Sequence, residues 1–265
     1  MPFLKQLLKP ALIRTTQLLG VSQSEAAVAR DSARYWAGKN DERFRNNSHW
    51  REGGGGNAVN EDAWLTIGRR HLGLFGRFAD MVGFERPARR VVEWGCGGGA
   101  NAVGFAKEAE RFVGVDVAQS SLDECGRQLQ REGLGDRWQP VLADVENPEA
   151  AAATIEPCDL FLCVYVFELI PGPAYAERLL KIAQGLLRPG GMAMVQIKYA
   201  TDDWRTRPRR WAYKLNLANT TTFHLEAFWQ LAERCGLTPH AVTLVPKDAV
   251  VGDERYAYFL LTKPA

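Results

Sequence analysis

From Arg90 onward, short apolar runs alternate with longer segments whose apolar residues recur every three to four positions. The first pattern is that of a buried strand, the second that of an amphipathic helix. It predicts strands over 90–94, 111–115, 139–142, 160–164 and 192–197. Helices are predicted over 100–108, 120–132, 148–153 and 174–187. Arg188-Pro189-Gly190-Gly191 is a turn signal ahead of the fifth strand. A further helix over about 225–235 and strands near 240–244 and 256–261 complete the series. About a dozen residues without helical pattern join the last two strands, which favours antiparallel pairing. The pattern therefore predicts an α/β fold. It is a doubly wound, mostly parallel seven-stranded sheet with an antiparallel last strand.

The region before Arg90 reads differently. Ser22-Gln23-Ser24-Glu25 has the form of a capping box opening a helix to about Ala37. A polar stretch with Phe44, His49 and Trp50 leads into Gly53-Gly54-Gly55-Gly56, a hinge or loop signal. Asn60 is a candidate N-cap for a long helix carrying Trp64, Leu65, Leu72, Phe75, Phe78 and Met81. Residues 1–60 are expected to be a helical N-terminal extension or lid. Residues 61–265 are expected to be the main Rossmann-like domain, with a cap insertion at about 199–223. Met1 to Gly20 holds Lys5, Lys9 and Arg14 and no acid, with leucines at helical spacing around Pro10. That segment would dock on its own domain or a partner subunit, or lie on an anionic membrane surface.

Composition changes this picture only by exclusion. With 46% hydrophobic and 24% charged residues, the 265-residue chain is ordinary for a globular protein. A formal net charge of +2 gives no whole-chain footprint for nucleic acid, so DNA is not an expected partner. Five cysteines without a CxxC pair argue against a disulfide scaffold or zinc ribbon. They fit a reducing, cytoplasmic setting. The run Leu160–Ile170 is too short to span a bilayer and is broken by Glu168. A homodimer is compatible with all of this.

The chemistry concentrates at strand ends. The first strand runs into Glu93-Trp94-Gly95-Cys96-Gly97-Gly98-Gly99-Ala100 and then a helix. So many glycines imply a backbone that must approach something closely. The expected something is a nucleotide-like cofactor at the carboxyl end of a parallel strand. Asp116 and Asp144 follow the next two strands, and Asp116 is placed to accept the hydroxyls of a ribose. Glu93 would repel a pyrophosphate and attract an ammonium or sulfonium group. That disfavours an NAD-dependent oxidoreductase.

In this order and spacing, these segments resemble the class I S-adenosylmethionine-dependent methyltransferases. The resemblance includes Gly114-Val115-Asp116, Ala143-Asp144, Cys158–Cys163 and Leu187-Arg188-Pro189-Gly190-Gly191, and runs roughly from Arg90 to Lys263. It implies S-adenosyl-L-methionine as cofactor. It further implies that Gly95, Cys96, Gly97 and Gly99 meet the methionine moiety, with Glu93 on its ammonium side. Asp116 would hold the ribose, with Val117 against the adenine. Asp144 would meet the adenine amino group, with Val145 on the ring. Cys163 and Val164 would line the methionine end.

The acceptor is less legible. Family members of the small-molecule type often carry a Glu-His pair after the fourth strand, and here Leu169 follows Glu168. Cys163 stands where a metal-assisted site would want an acid, so no metal is expected. Candidate catalytic residues are His224, His49 and Tyr165. Candidate acceptor-binding residues are Tyr199, Trp204, Arg209 and Arg210, in an insertion that mixes aromatics with cations. The reading is an enzyme that methylates an O or N atom of a small-molecule acceptor by in-line displacement, such as a natural product, a saccharide or an anionic metabolite. The alternatives are an RNA or protein methyltransferase, or a cofactor-binding pseudo-enzyme.

Overall fold

The computed structural model describes residues 2–38, 41–51, 61–247 and 253–265, with side chains from Pro10 and from Ala63 in the first and third segments. The expected Gly53–Gly56 hinge and Asn60 cap lie outside the described residues.

The strands are β1 (Arg90–Trp94), β2 (Arg111–Asp116), β3 (Trp138–Leu142), β4 (Cys158–Cys163), β5 (Leu187–Lys198), β6 (Thr238–Val245) and β7 (Tyr256–Thr262). They form one sheet in the order β3-β2-β1-β4-β5-β7-β6. β1 to β5 pair in parallel, and β7 runs antiparallel to both β5 and β6. This is the predicted sheet. Its winding reverses between β1 and β4, where a crevice opens beyond the carboxyl ends of the strands.

Alternation along the strands decides which side chain meets which helix layer. Val91, Phe112, Leu160, Leu162, Met192 and Met194 pack on one face, under α4 (Glu61–Val82), α5 (Ala100–Phe105) and α6 (Gln119–Arg131). Val92, Val113, Phe161, Ala193 and Val195 pack on the other, under α7 (Pro148–Ala152), α8 (Pro173–Leu186) and α10 (Leu225–Arg234). Both faces are covered, so the central strands read as near-continuous apolar runs. Pro140 is tolerated because β3 is an edge strand. The helix expected over 100–108 stops at Phe105. There the Arg137 guanidinium takes the carbonyls of Ala106, Lys107 and Ala109 and holds the chain in a turn.

The N-terminal region forms α1 (Pro2–Leu18), α2 (Glu25–Trp36) and α3 (Glu42–Asn47). The cap of α2 is Ser24, which accepts from the Ala27 amide, rather than Ser22. Glu25 does not fold back on its own helix. Its two carboxylate oxygens accept from the amides of Ala174 and Tyr175, both at 3.2 Å, at the positive end of α8. Val28, Trp36 and Phe44 from this region join Ala118, Tyr213 and Leu217 in a third apolar cluster above the carboxyl edge of the sheet. Tyr213 opens the short α9 (Tyr213–Asn216) of the insertion. The insertion thus packs on the N-terminal helices: α9 on α2, and the turn at Trp204–Thr206 on α1.

Candidate active site

Glu93 sits one residue before the end of β1, paired with Gly114 of β2 and Leu162 of β4. It is 1% exposed. Oε1 accepts from Asn101 Nδ2 at 2.6 Å, and Oε2 has no partner although it is buried. Burial pushes the carboxyl up to about 8, reinforced by the nearby Asp116 charge and opposed by the Asn101 hydrogen bond. Behind it a polar chain continues across the core. Asn101 Oδ1 must accept, so His71 Nδ1 carries the proton of their 2.7 Å bond. That leaves His71 Nε2 to accept from the Tyr258 hydroxyl at 2.8 Å. The sequence reading missed His71. Its signal was a polar residue four positions from both Ile67 and Phe75, on the buried stripe of α4.

The glycine loop is approached closely, first of all by the protein itself. Gly98 N donates to the Ser48 carbonyl at 2.7 Å. A Cβ at Gly97 would come within 2.5 Å of that same carbonyl, and one at Gly98 within 2.8 Å of the His49 carbonyl. Segment 48–51 is strapped down at three further points. Trp64 Nε1 donates to His49 O at 2.7 Å. Buried Arg51 reaches Gln128 and Glu132, each at 3.1 Å. Segment 48–51 therefore lies against the loop.

Asp116, at the end of β2, accepts from Gly97 N through Oδ2 and from Ala118 N through Oδ1, both at 2.9 Å. Burial raises its carboxyl to about 6, against the pull of the Ala118, Gly97 and Val117 amides. Glu93, Gly95, Cys96, Gly97, Asp116, Val117, Val145 and Val164 all line one cleft.

Three expected cofactor residues do not line it. Asp144 is exposed and spends Oδ1 on the Glu146 amide, closing the turn after β3. Cys163 is wholly buried among the residues packed under α8. Gly99 caps α5 with φ 91° and faces Cys125, so it serves the packing of the loop on α6.

The far end of the cleft is walled by Ser32 and Trp36 of α2, by Tyr175 and Leu179 of α8, and by Tyr213. The Tyr213 hydroxyl accepts from Ser32 Oγ and Trp36 Nε1, at 3.1 and 3.0 Å. It donates to Leu169 O at 2.9 Å. Burial pushes its phenol up to about 12.

His49 and Tyr165 line the cleft, their rings edge to face at 4.8 Å. Both have left-handed backbone, φ 50° and 60°, where non-glycine residues are strained. His224 lies elsewhere, exposed at the start of α10. None of the four expected acceptor residues lines the cleft. Tyr199 is tied through its backbone to Arg255, and Trp204 packs against Arg205. Arg209 turns back to the Arg205 carbonyl, and Arg210 faces Glu25 at 3.7 Å. Arg209 and Arg210 are thus engaged within the protein, while Arg205, Arg207 and Lys214 are exposed.

A family model described as a methyltransferase domain matches residues 91–191, which hold the glycine loop, Glu93 and Asp116. This segment is similar to methyltransferase domains. The chain is 26% identical over 132 residues to a ubiquinone biosynthesis O-methyltransferase of Aeromonas salmonicida, covering 50% of this chain and 47% of that protein. Chain and relative match at 29% over 128 residues in Actinobacillus pleuropneumoniae, covering 48% and 47%. The matched region spans about half the length of these curated relatives. Among solved structures, the N-methyltransferase NodS of Bradyrhizobium japonicum, in complex with S-adenosyl-L-homocysteine, shares the fold. Its TM-score is 0.51 at 15% identity, over 74% of this chain and 87% of that one. No described helix is long and apolar enough to cross a membrane.

Proposed function

We propose that this protein transfers a methyl group from S-adenosylmethionine to an oxygen or nitrogen atom of a small-molecule acceptor by in-line displacement. The observation that carries the reading is the unpartnered, buried Oε2 of Glu93, beside Gly95, Gly97 and Asp116 in one cleft. An orphaned carboxylate oxygen costs free energy unless a ligand donates to it, and an α-ammonium group would. Each oxygen of Asp116 keeps a lone pair beyond its amide bond, enough to take the two hydroxyls of a ribose. Val117 and Val145 offer apolar surface for a flat base. When bound, the cofactor supplies a methyl group on a cationic sulfur. The chain's own part is to bind, to orient the acceptor and to exclude water.

The relatives' names, both O-methyltransferases, favour oxygen as the acceptor atom. In this reading residues 1–60 are the lid and roof of the acceptor site. Leu18 and Leu19 are 79% and 73% exposed at the end of α1, beside basic Arg14. That favours contact of α1 with an anionic membrane surface. Calorimetric titration with S-adenosylhomocysteine, followed by transfer of labelled methyl from S-adenosylmethionine to hydroxylated small molecules, tests the reading. Saturable binding and transfer are expected; a protein that binds neither nucleoside contradicts it.

A further inference from the structure

A second cavity adjoins the cleft, and Asn47, His49, Tyr165 and Leu169 line both. On its inner wall stands Glu168, 2% exposed, with Oε2 buried and unpartnered. Glu168 follows β4 and has no assigned part in holding the cofactor. The groups around it come from several elements. Lys198 ends β5, Asp253 and Tyr256 lie at the start of β7, Tyr165 shares its loop, and Arg43 and His49 line the cavity from the N-terminal side. The Lys198 charge acts on Glu168 and favours its carboxylate. Both 2.6 Å contacts of Lys198 go to Asp253, whose Oδ2 also takes the Tyr256 hydroxyl. Arg43 donates to the Lys214 carbonyl. The acid is thus left with an unpartnered oxygen, on a residue that lines the cavity together with Trp50, Tyr165 and Tyr256.

We infer that the methyl acceptor occupies this second cavity as a flat molecule with a dissociable O–H or N–H, and that Glu168 takes that proton. The inference rests on the methyl-transfer reading above. Its balance is simple. The acceptor oxygen or nitrogen forms a bond to the methyl carbon as the carbon–sulfur bond breaks. The electron pair of the broken bond stays on sulfur, and the acceptor's proton passes to Glu168 Oε2, directly or through one water. Flat acceptors suit the aromatic ring of walls. A phenol or aromatic amine needs proton removal at some stage, which is general-base work. Burial, partly offset by the Lys198 charge, lifts Glu168 to about 7, close to the pH at which such a base would operate.

The test uses phenol and aniline as the smallest flat probes, on protein saturated with S-adenosylhomocysteine for binding or S-adenosylmethionine for turnover. Calorimetry should show one of the two binding, and its methylation should rise with pH through the region of pH 7. In Glu168→Gln, kcat should fall on the order of 100-fold. The rise with pH should vanish, while affinity for S-adenosylhomocysteine stays within about twofold. Should Glu168→Gln not fold, Asn46→Trp, which fills the cavity, should raise the probe's KM on the order of 10-fold with cofactor affinity unchanged. The inference is overturned if neither probe binds to cofactor-loaded protein. It is also overturned if Glu168→Gln keeps its rate and pH profile, or if Asn46→Trp leaves KM unaltered. Loss of S-adenosylhomocysteine binding by the wild type would instead strike the underlying methyl-transfer reading.

Discussion

At the β1–β2 end of the cleft, the deciding contacts join residues close in sequence. Glu93 meets Asn101 across 8 residues, and Gly97 meets Asp116 across 19. At the other end, Trp36 and Ser32 meet Tyr213 across 177 and 181 residues. The first end is made by the carboxyl termini of parallel strands, so any sequence that specifies the strands also specifies where the acids stand. The second end is made when two segments with weak local signals pack on each other over the finished sheet. Cofactor binding and acceptor binding should therefore fail separately when either end is altered.

The largest expected effect belongs to the short-range end. Asp116→Ala removes the acceptor for both ribose hydroxyls. It should weaken S-adenosylhomocysteine on the order of 100-fold by calorimetry, without abolishing the fold seen by circular dichroism. Next comes the long-range end. Tyr213→Phe leaves Ser32 Oγ and Trp36 Nε1 without their acceptor and the Leu169 carbonyl without its donor. Denaturant titration should show a loss of about 2 kcal/mol, and, because the freed Leu169 also lines the second cavity, the acceptor KM should rise while cofactor affinity holds within about twofold. If Tyr213→Phe weakens the cofactor as much as Asp116→Ala does, the two ends are not separable. The smallest effect is expected from Arg210→Ala. Its partner Glu25 is 3.7 Å away and both are part-exposed, so the pair is worth less than about 1 kcal/mol. Both KM values should stay within about twofold; a large rise in acceptor KM would restore Arg210 to the acceptor site.

Legibility followed the same division. Strand boundaries, sheet closure by β7 and the positions of Glu93 and Asp116 could be read because apolar runs ending in acids are local signals. Asp144 also ends a strand but stays outside the cleft, because β3 lies at the sheet edge and the turn after it takes one carboxylate oxygen. The Trp/Arg insertion looked like an acceptor grip because cations and aromatics serve equally well to dock protein on protein. Its binding partners, Glu25 and the helices around it, lie far away in the chain. The glycine loop was legible as a place of close approach, but not that Ser48 and His49 of the same chain would be what approaches. Glu168 was visible as a break in an apolar run and as an acid followed by Leu169 where a His is common, but not as an isolated acid. Its isolation depends on Lys198 being taken by Asp253, a pairing across 55 residues.

In the proposed function the unpartnered oxygen of Glu93 receives the ammonium group of the cofactor. In the free protein Glu93 is raised to about 8, so at pH 7 its carboxyl holds a proton. An ammonium docking on Oε2 favours the carboxylate, and that proton must leave. The decisive measurement is calorimetry of S-adenosylhomocysteine binding at pH 7 in buffers of different ionisation enthalpy. The account predicts release of about one proton per site, falling as the pH is raised past 8. Binding with no net proton exchange would contradict it.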